Sequence, residues 1–210
     1  SKNVTLSNNN LSGNEGGIRL TSSSNNMLSN NTISGSFMGI YFYYSDDNKI
    51  SYNNVSSYPF GFTLQSSNNN ILLNNIVSDG ELGIRLNSSY NNVLSNNILS
   101  LNGEECIYLS FSSNNTITNN IMPLRCGTYI RLYLSSSNSI TNNTVLSKPG
   151  YGIYISQSNE NTIRNNELEG NNVTISSSNN NIVSNNTDLS TILLSSSLSN
   201  TIENNKMEEN

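Results

Sequence analysis

Asparagine returns at one fixed place along this chain. Ten apolar markers, Leu6, Leu28, Ile50, Leu72, Leu94, Ile117, Ile140, Ile163, Val183 and Ile202, are separated by steps of 22, 22, 22, 22, 23, 23, 23, 20 and 19 residues. Three residues after each stands an asparagine: Asn9, Asn31, Asn53, Asn75, Asn97, Asn120, Asn143, Asn166, Asn186 and Asn205. Two positions further on, nine of the ten residues are apolar: Leu11, Ile33, Val55, Val77, Leu99, Met122, Val145, Leu168 and Met207. The exception is Asp188, where a local shift would let Leu189 take the place. A repeat of this length held in phase is the signature of a stacked repeat protein. It outweighs composition, in which 45 of 210 residues are Asn and segments such as "SSSNNMLSNNTISG" look disordered. A disordered tract has no reason to keep a register. The chain is also 34% apolar and only 11% charged, whereas disordered chains usually carry more charge.

A second apolar pair follows in each unit: Ile18/Leu20, Ile40/Phe42, Phe62/Leu64, Ile84/Leu86, Ile107/Leu109, Ile130/Leu132, Ile153/Ile155, Val173/Ile175 and Ile192/Leu194. The i, i+2 spacing is that of a strand with one buried face. Gly17, Gly39, Gly61, Gly83 and Gly152 precede the pair and are expected to bend the chain into it. No unit keeps a 3.6-residue period, and alanine is absent. One unit of two or three short strands cannot bury its apolar face alone; stacking units closes a continuous core. The expectation is an all-β parallel β-helix of about ten coils of 19–23 residues, residues 1–210 forming one domain. Stacked amides have two donors and an acceptor, so the asparagine column is expected to form an internal ladder at a turn. The residue before it, Asn in nine coils and Tyr52 in one, should serve the same corner, since Asn tolerates left-handed backbone.

The units "NNMLSNNTIS", "NNVLSNNILS", "NNTITNNIM" and "ENTIRNNELEG", each followed by a "GIxL"-like strand, resemble the repeats of pectin-lyase-like proteins. They are most similar to the NosD-type repeats grouped as carbohydrate-binding and sugar-hydrolase domains. The resemblance spans essentially the whole chain and implies a right-handed parallel β-helix, in line with the general preference for right-handed crossovers. It implies little about function, because the motif residues are structural. NosD proteins are linked to copper-enzyme maturation. This chain has no His and four scattered Met, so that role is not expected to carry over.

Residues between the inward pair form an outward column: Arg19, Tyr41, Thr63, Arg85, Tyr108, Arg131, Tyr154, Thr174 and Leu193. Tyr offers an apolar face with a polar tip and Arg a fork for carboxylates, a surface suited to sugar rings or acidic sugars. The competing reading is that Arg and Tyr are simply good exposed strand residues. Arg85, Tyr108, Arg131, Tyr41 and Tyr154 are the candidate ligand-binding residues. Glu81 and Glu104 fall on adjacent coils beside this strand, with Glu15, Asp79 and Glu105 nearby. Paired carboxylates are what glycoside hydrolysis needs, so these two are the candidate catalytic pair; solvated loop charges are the plainer reading. Cys106 and Cys126 lie in corresponding loops of adjacent coils, three positions out of register. Both a disulfide in an oxidising compartment and two separate thiols fit this placement. Among several N-x-S/T triplets, Asn54 and Asn87 are expected to be exposed and are the glycosylation candidates.

No metal site and no cofactor is expected: without His, imidazole-based metal sites and Ser-His triads are excluded, and there is no phosphate-binding glycine loop. A net charge of −5 argues against a nucleic-acid partner. No apolar run approaches a membrane span, so no membrane insertion of this segment is expected. The charged last turn, "ENNKMEEN", is expected to cap the C-terminal end in part. The preferred expectation is a non-enzymatic, extracellular or cell-surface repeat domain within a longer protein, acting as spacer, surface-layer or adhesin-like module. A carbohydrate-binding module is the second reading and a polysaccharide lyase or hydrolase the third. The partners implied are a polysaccharide or cell-surface glycan, and self-association end to end.

Overall fold

A computed structural model describes residues 1–13, 15–148 and 150–208. Among these, all regular elements are β-strands, and each stacks in parallel on its counterpart one coil away. The three-residue marker strands, from Thr5–Ser7 to Thr201–Glu203, form one sheet of ten. The remaining strands form a second sheet of 14 that turns a corner. In Asn54–Gln65, Ile76–Asn87, Glu167–Ser176 and Thr187–Ser195 the ladder continues through that corner, which turns at the left-handed Ser57, Asp79, Glu169 and Asp188, so two short strands become one. The solenoid completes about nine turns rather than ten. The tenth marker strand, Thr201–Glu203, has no second-pair strand after it among the described residues.

The inward pairs stack in the register read from sequence: Ile84 lies between Phe62 and Ile107, and Leu132 between Leu109 and Ile155. Leu28, Ile50, Leu72, Leu94, Ile117 and Ile140 are fully buried, while the terminal markers Leu6 and Ile202 are exposed on the end coils. Each buried Leu or Ile contributes about 1.5–3 kcal/mol of transfer free energy, so stacking itself is the main stabilising force. Leu189 does take the place of Asp188: it is fully buried, Asp188 has a left-handed backbone (φ 53°), and the register shifts between Glu167 and Asn171 on the neighbouring strand.

Three corners per coil share one construction, a left-handed residue followed by a buried polar one. At the first, residues 8, 30, 52, 74, 96, 119, 142, 165, 185 and 204 have φ of 54–58°, and the ladder asparagine follows. A central rung shows the wiring. Asn97 Oδ1 accepts from the backbone N and the Nδ2 of Asn75, both at 3.0 Å, and its own Nδ2 donates to Leu72 O and Asn120 Oδ1, both at 3.0 Å. All four bonding positions of the amide are used. The second corner repeats this with Asn26, Asn48, Asn70, Asn92, Asn115, Asn138, Asn161, Asn181 and Asn200; Asn70 Nδ2, for example, donates to Asn92 Oδ1 at 3.1 Å. The third is a serine column, Ser23 to Ser197, in which Ser67 N donates to Ser89 Oγ at 3.0 Å and Ser67 Oγ to Gln65 O at 2.9 Å.

The glycines before the inward pair serve a different purpose from the one expected. Gly39 and Gly61 have no positive φ; a Cβ at Gly39 would collide with the Gly61 carbonyl, and one at Gly61 with that of Gly83. They permit the close approach of stacked backbones, not a bend. Of the charged C-terminal turn, Glu209 and Asn210 lie outside the described residues; Met207 bridges to Leu189 and Glu208 pairs with Lys148.

Candidate functional site: the outward face of the long strand

The strand that carries the inward pair points its intervening side chains outward, and parallel stacking sets these side chains in lanes along the rod. The lane Arg19, Tyr41, Thr63, Arg85, Tyr108, Arg131, Tyr154, Thr174 and Leu193 is in continuous register. Beside it, Met38, Phe60, Leu82, Glu105, Thr128 and Tyr151 pair in a second lane, and Tyr43, Gln65, Asn87, Ser110 and Tyr133 in a third. An edge that is apolar from Met38 to Leu82 and polar from Glu105 on, a cationic and aromatic centre and a polar edge thus run side by side.

The centre is organised by stacking. Arg19 lies 5.4 Å from the ring of Tyr41. Arg131 sits between two rings, 5.4 Å from Tyr108 and 5.8 Å from Tyr154. Its Nη1 donates to Glu105 Oε1 at 2.9 Å, and that carboxylate is only 9% exposed. Shallow depressions open along the face. One of about 180 Å³ is lined by Met38, Tyr41, Phe60, Thr63, Gln65 and Arg85. Another of about 290 Å³ is lined by Thr128, Arg131, Tyr151 and Tyr154.

The structure brings the five candidate ligand-binding residues into one lane. Glu81 and Glu104 stand on consecutive rungs, with Glu104 N donating to Glu81 O at 2.9 Å, but both are exposed and neither forms an ion pair among the described residues. The buried carboxylate here is Glu105, and Arg131 occupies it. Asn54 is exposed; Asn87 is half-buried and donates its Nδ2 to Gln65 Oε1 at 2.7 Å, so it is less open than expected. Cys106 and Cys126 are joined in a disulfide, their Cα atoms 5.7 Å apart, both fully buried. Near them two tyrosines turn inward. Tyr58 donates to Asn102 Oδ1 at 3.1 Å and Tyr129 to Ser147 O at 2.7 Å, and burial raises both phenols above the ordinary value.

A long regular β-solenoid with an open lane of Arg and Tyr places the chain in the class of parallel β-helix repeat proteins. Within that class it belongs to the NosD family, described as periplasmic copper-binding proteins, whose model matches residues 1–59 and 38–180. No curated protein matches the sequence. Among solved structures, a mutant of the periplasmic alginate epimerase AlgG aligns with a TM-score of 0.76 at 18% identity, over 89% of this chain and 51% of that one. The DFA-IIIase of Arthrobacter chlorophenolicus without its lid aligns with a TM-score of 0.67 at 14% identity, over 89% of this chain and 59% of that one. The Streptococcus pneumoniae surface protein and adhesin PfbA gives 0.65 at 12% identity, over 99% and 68%. At such identities the likeness is one of fold. The chain spans about half the length of the alginate epimerase.

The donors present do not fit the copper named in the family's description. Copper sites draw on imidazole, thiolate and thioether ligands. This chain has no His, both Cys are in the disulfide, and Met27, Met38 and Met122 fall in three different strands, the last fully buried. No group of three or more His, Cys, Asp or Glu is placed to hold a metal among the described residues.

Proposed function

We propose that this chain is a non-catalytic, extracytoplasmic glycan-binding rod that engages a polysaccharide along the Arg/Tyr lane. The supporting observation is that lane itself: Arg and Tyr recur in register from Arg19 to Tyr154 on the outward face, flanked by an amide-bearing lane and by one that is apolar from Met38 to Leu82. Aromatic faces pack on pyranose C–H surfaces, and amide and hydroxyl groups meet sugar hydroxyls. The periplasmic family, the disulfide and an adhesin of similar fold favour a place outside the cytoplasm. The exposure of Glu81 and Glu104 favours binding without turnover, since a general acid works best from a buried, perturbed setting. The test is a glycan-array screen of the purified chain, with reducing-end and unsaturated-product assays on each hit. The expected result is saturable binding that Tyr154→Ala weakens at least about tenfold while the circular dichroism spectrum is unchanged. A blank array with a folded chain would return the lane to a purely structural role, and product formation lost in Glu81→Gln or Glu104→Gln would make the chain an enzyme.

A further inference from the structure

The lane is not electrostatically uniform. In its C-terminal part Arg131 is neutralised: Nη1 is bound to the nearly buried Glu105 carboxylate and the guanidinium is clamped between Tyr108 and Tyr154. In its N-terminal part Arg19 and Arg85 have no carboxylate partner among the described residues. The Arg85 side chain in addition makes no hydrogen bond among the described residues; its Nε, like that of Arg131, is a shielded donor without an acceptor. An unmet donor of this kind costs about 1–3 kcal/mol at either arginine; Arg85 differs in that its guanidinium has no carboxylate to bond, so it gains more than Arg131 from an arriving oxygen acceptor. Arg85 also lines the depression whose other walls are Met38, Tyr41, Phe60, Thr63 and Gln65: a cation beside an apolar floor and an amide.

On the reading that the lane binds glycans, we infer that it sorts them by charge along its length. A carboxylate-bearing sugar sits at Arg85, with Arg19 three rungs away as a second anion contact, and uncharged ring faces stack on the Tyr108–Arg131–Tyr154 platform. Both arginines are separated by three rungs of ~4.8 Å, roughly 14 Å along the axis, so a chain lying parallel to the rod presents successive sugars to successive coils. The guanidinium fork matches the two oxygens of a carboxylate. The protein's net charge of −5 works against a uniformly dense polyanion. At physiological salt, however, charges beyond about 8 Å are screened, so the local contact at Arg85 decides. The ligand class is therefore an acidic polysaccharide of uronate type.

The experiment is isothermal titration with a hexauronide, its carboxyl-reduced neutral counterpart and a sulfated neutral hexasaccharide. The expected result is binding of the hexauronide about tenfold tighter than the reduced form, with that preference lost in Arg85→Gln and weakened at 0.5 M salt on the order expected for screened contacts. Arg131→Gln should weaken acidic and neutral ligands alike. Equal affinities for acidic and reduced ligands, or a preference that survives Arg85→Gln, overturn the inference while leaving glycan binding intact. A preference that follows Arg131 instead also overturns it. Preference for the sulfated ligand over the hexauronide would replace carboxylate recognition by general anion binding. If none of the three ligands binds, the glycan-binding reading itself fails. Circular dichroism and thermal unfolding of each variant separate lost contacts from lost fold.

Discussion

The corners of this solenoid and its outward face are built from the same repeat, yet they treat it oppositely. At the corners the same side chain returns coil after coil, Asn in two columns and Ser in a third, in the interior coils each buried and bonded to the coils on either side. On the face the residue changes at nearly every rung: Arg19, Tyr41, Thr63, Arg85, Tyr108, Arg131. Where a buried group must bond to its own counterpart, only identity satisfies both partners. Where a side chain meets solvent, stacking imposes no such condition and the sequence is free to encode recognition. Stability should therefore reside in what repeats and binding in what varies.

The strongest way to break this contrast is to remove a central rung. Asn97→Ala would orphan the N–H and an Nδ2–H of Asn75, the Leu72 carbonyl and part of the Asn120 acceptor, all buried. The expected loss is on the order of 3–5 kcal/mol in urea unfolding. Asn9→Ala, on the exposed first coil, should cost about 1 kcal/mol or less, because water replaces most of what is lost. Similar losses at both positions would mean that the ladder is not the source of stability.

Next in size is the Cys106–Cys126 bond, which closes a loop with a sequence separation of 20. By chain entropy its removal in a Cys106→Ala/Cys126→Ala double variant should cost about 3 kcal/mol. The denaturant midpoint should fall without change in the sheet spectrum, as the stacked core survives. A smaller effect is expected at Tyr58, whose phenol is held well above the ordinary value, first by burial and then by Asp79. Because the folded value is raised, the associated stability is complete below the unfolded value of about 10 and is lost as pH rises beyond it. Tyr58→Phe should cost about 1 kcal/mol at neutral pH, for the bond to Asn102, and flatten part of the alkaline fall in thermal stability. Tyr129, also raised by burial, leaves a residual slope.

The repeat made the fold legible because a parallel stack converts sequence period directly into spatial register; the pairing Arg85 to Tyr108 to Arg131 could be written down by counting. The same counting would have exposed the columns from Asn26 to Asn200 and from Ser23 to Ser197, which are as regular as the one identified. They were hidden by abundance: in runs such as "SSSNNN" several phases fit, and only burial separates the inward Ser and Asn from the left-handed residues before them. Ten markers make about nine turns because the last marker strand, Thr201–Glu203, opens a turn that the described residues do not complete. The glycines misled because a close backbone approach and a bend leave the same residue in the sequence, and only φ tells them apart. Glu105 was legible as a nearby acid, but not as the partner that neutralises Arg131: that contact crosses 26 residues and depends on rotamers no period encodes.

The contrast is sharpest where the smallest effect is expected. Tyr108 lies between Arg85 and Arg131 in the lane and contributes one of the two rings that clamp Arg131. Tyr108→Thr keeps a β-branched strand former on an outward position and removes the ring. The loss of one partly exposed cation–π contact is worth about 0.5–1 kcal/mol, a fraction of what a single ladder amide is expected to carry. Urea unfolding of this variant should therefore fall within about 1 kcal/mol of the parent. Binding of any glycan that spans the lane should drop with it, because the platform loses a face and Arg131 keeps a ring on one side only. A stability loss above about 2 kcal/mol would instead make the ring part of the frame, as load-sharing across coils would require. The division between a repeated scaffold and a variable reading face would then fail at its centre.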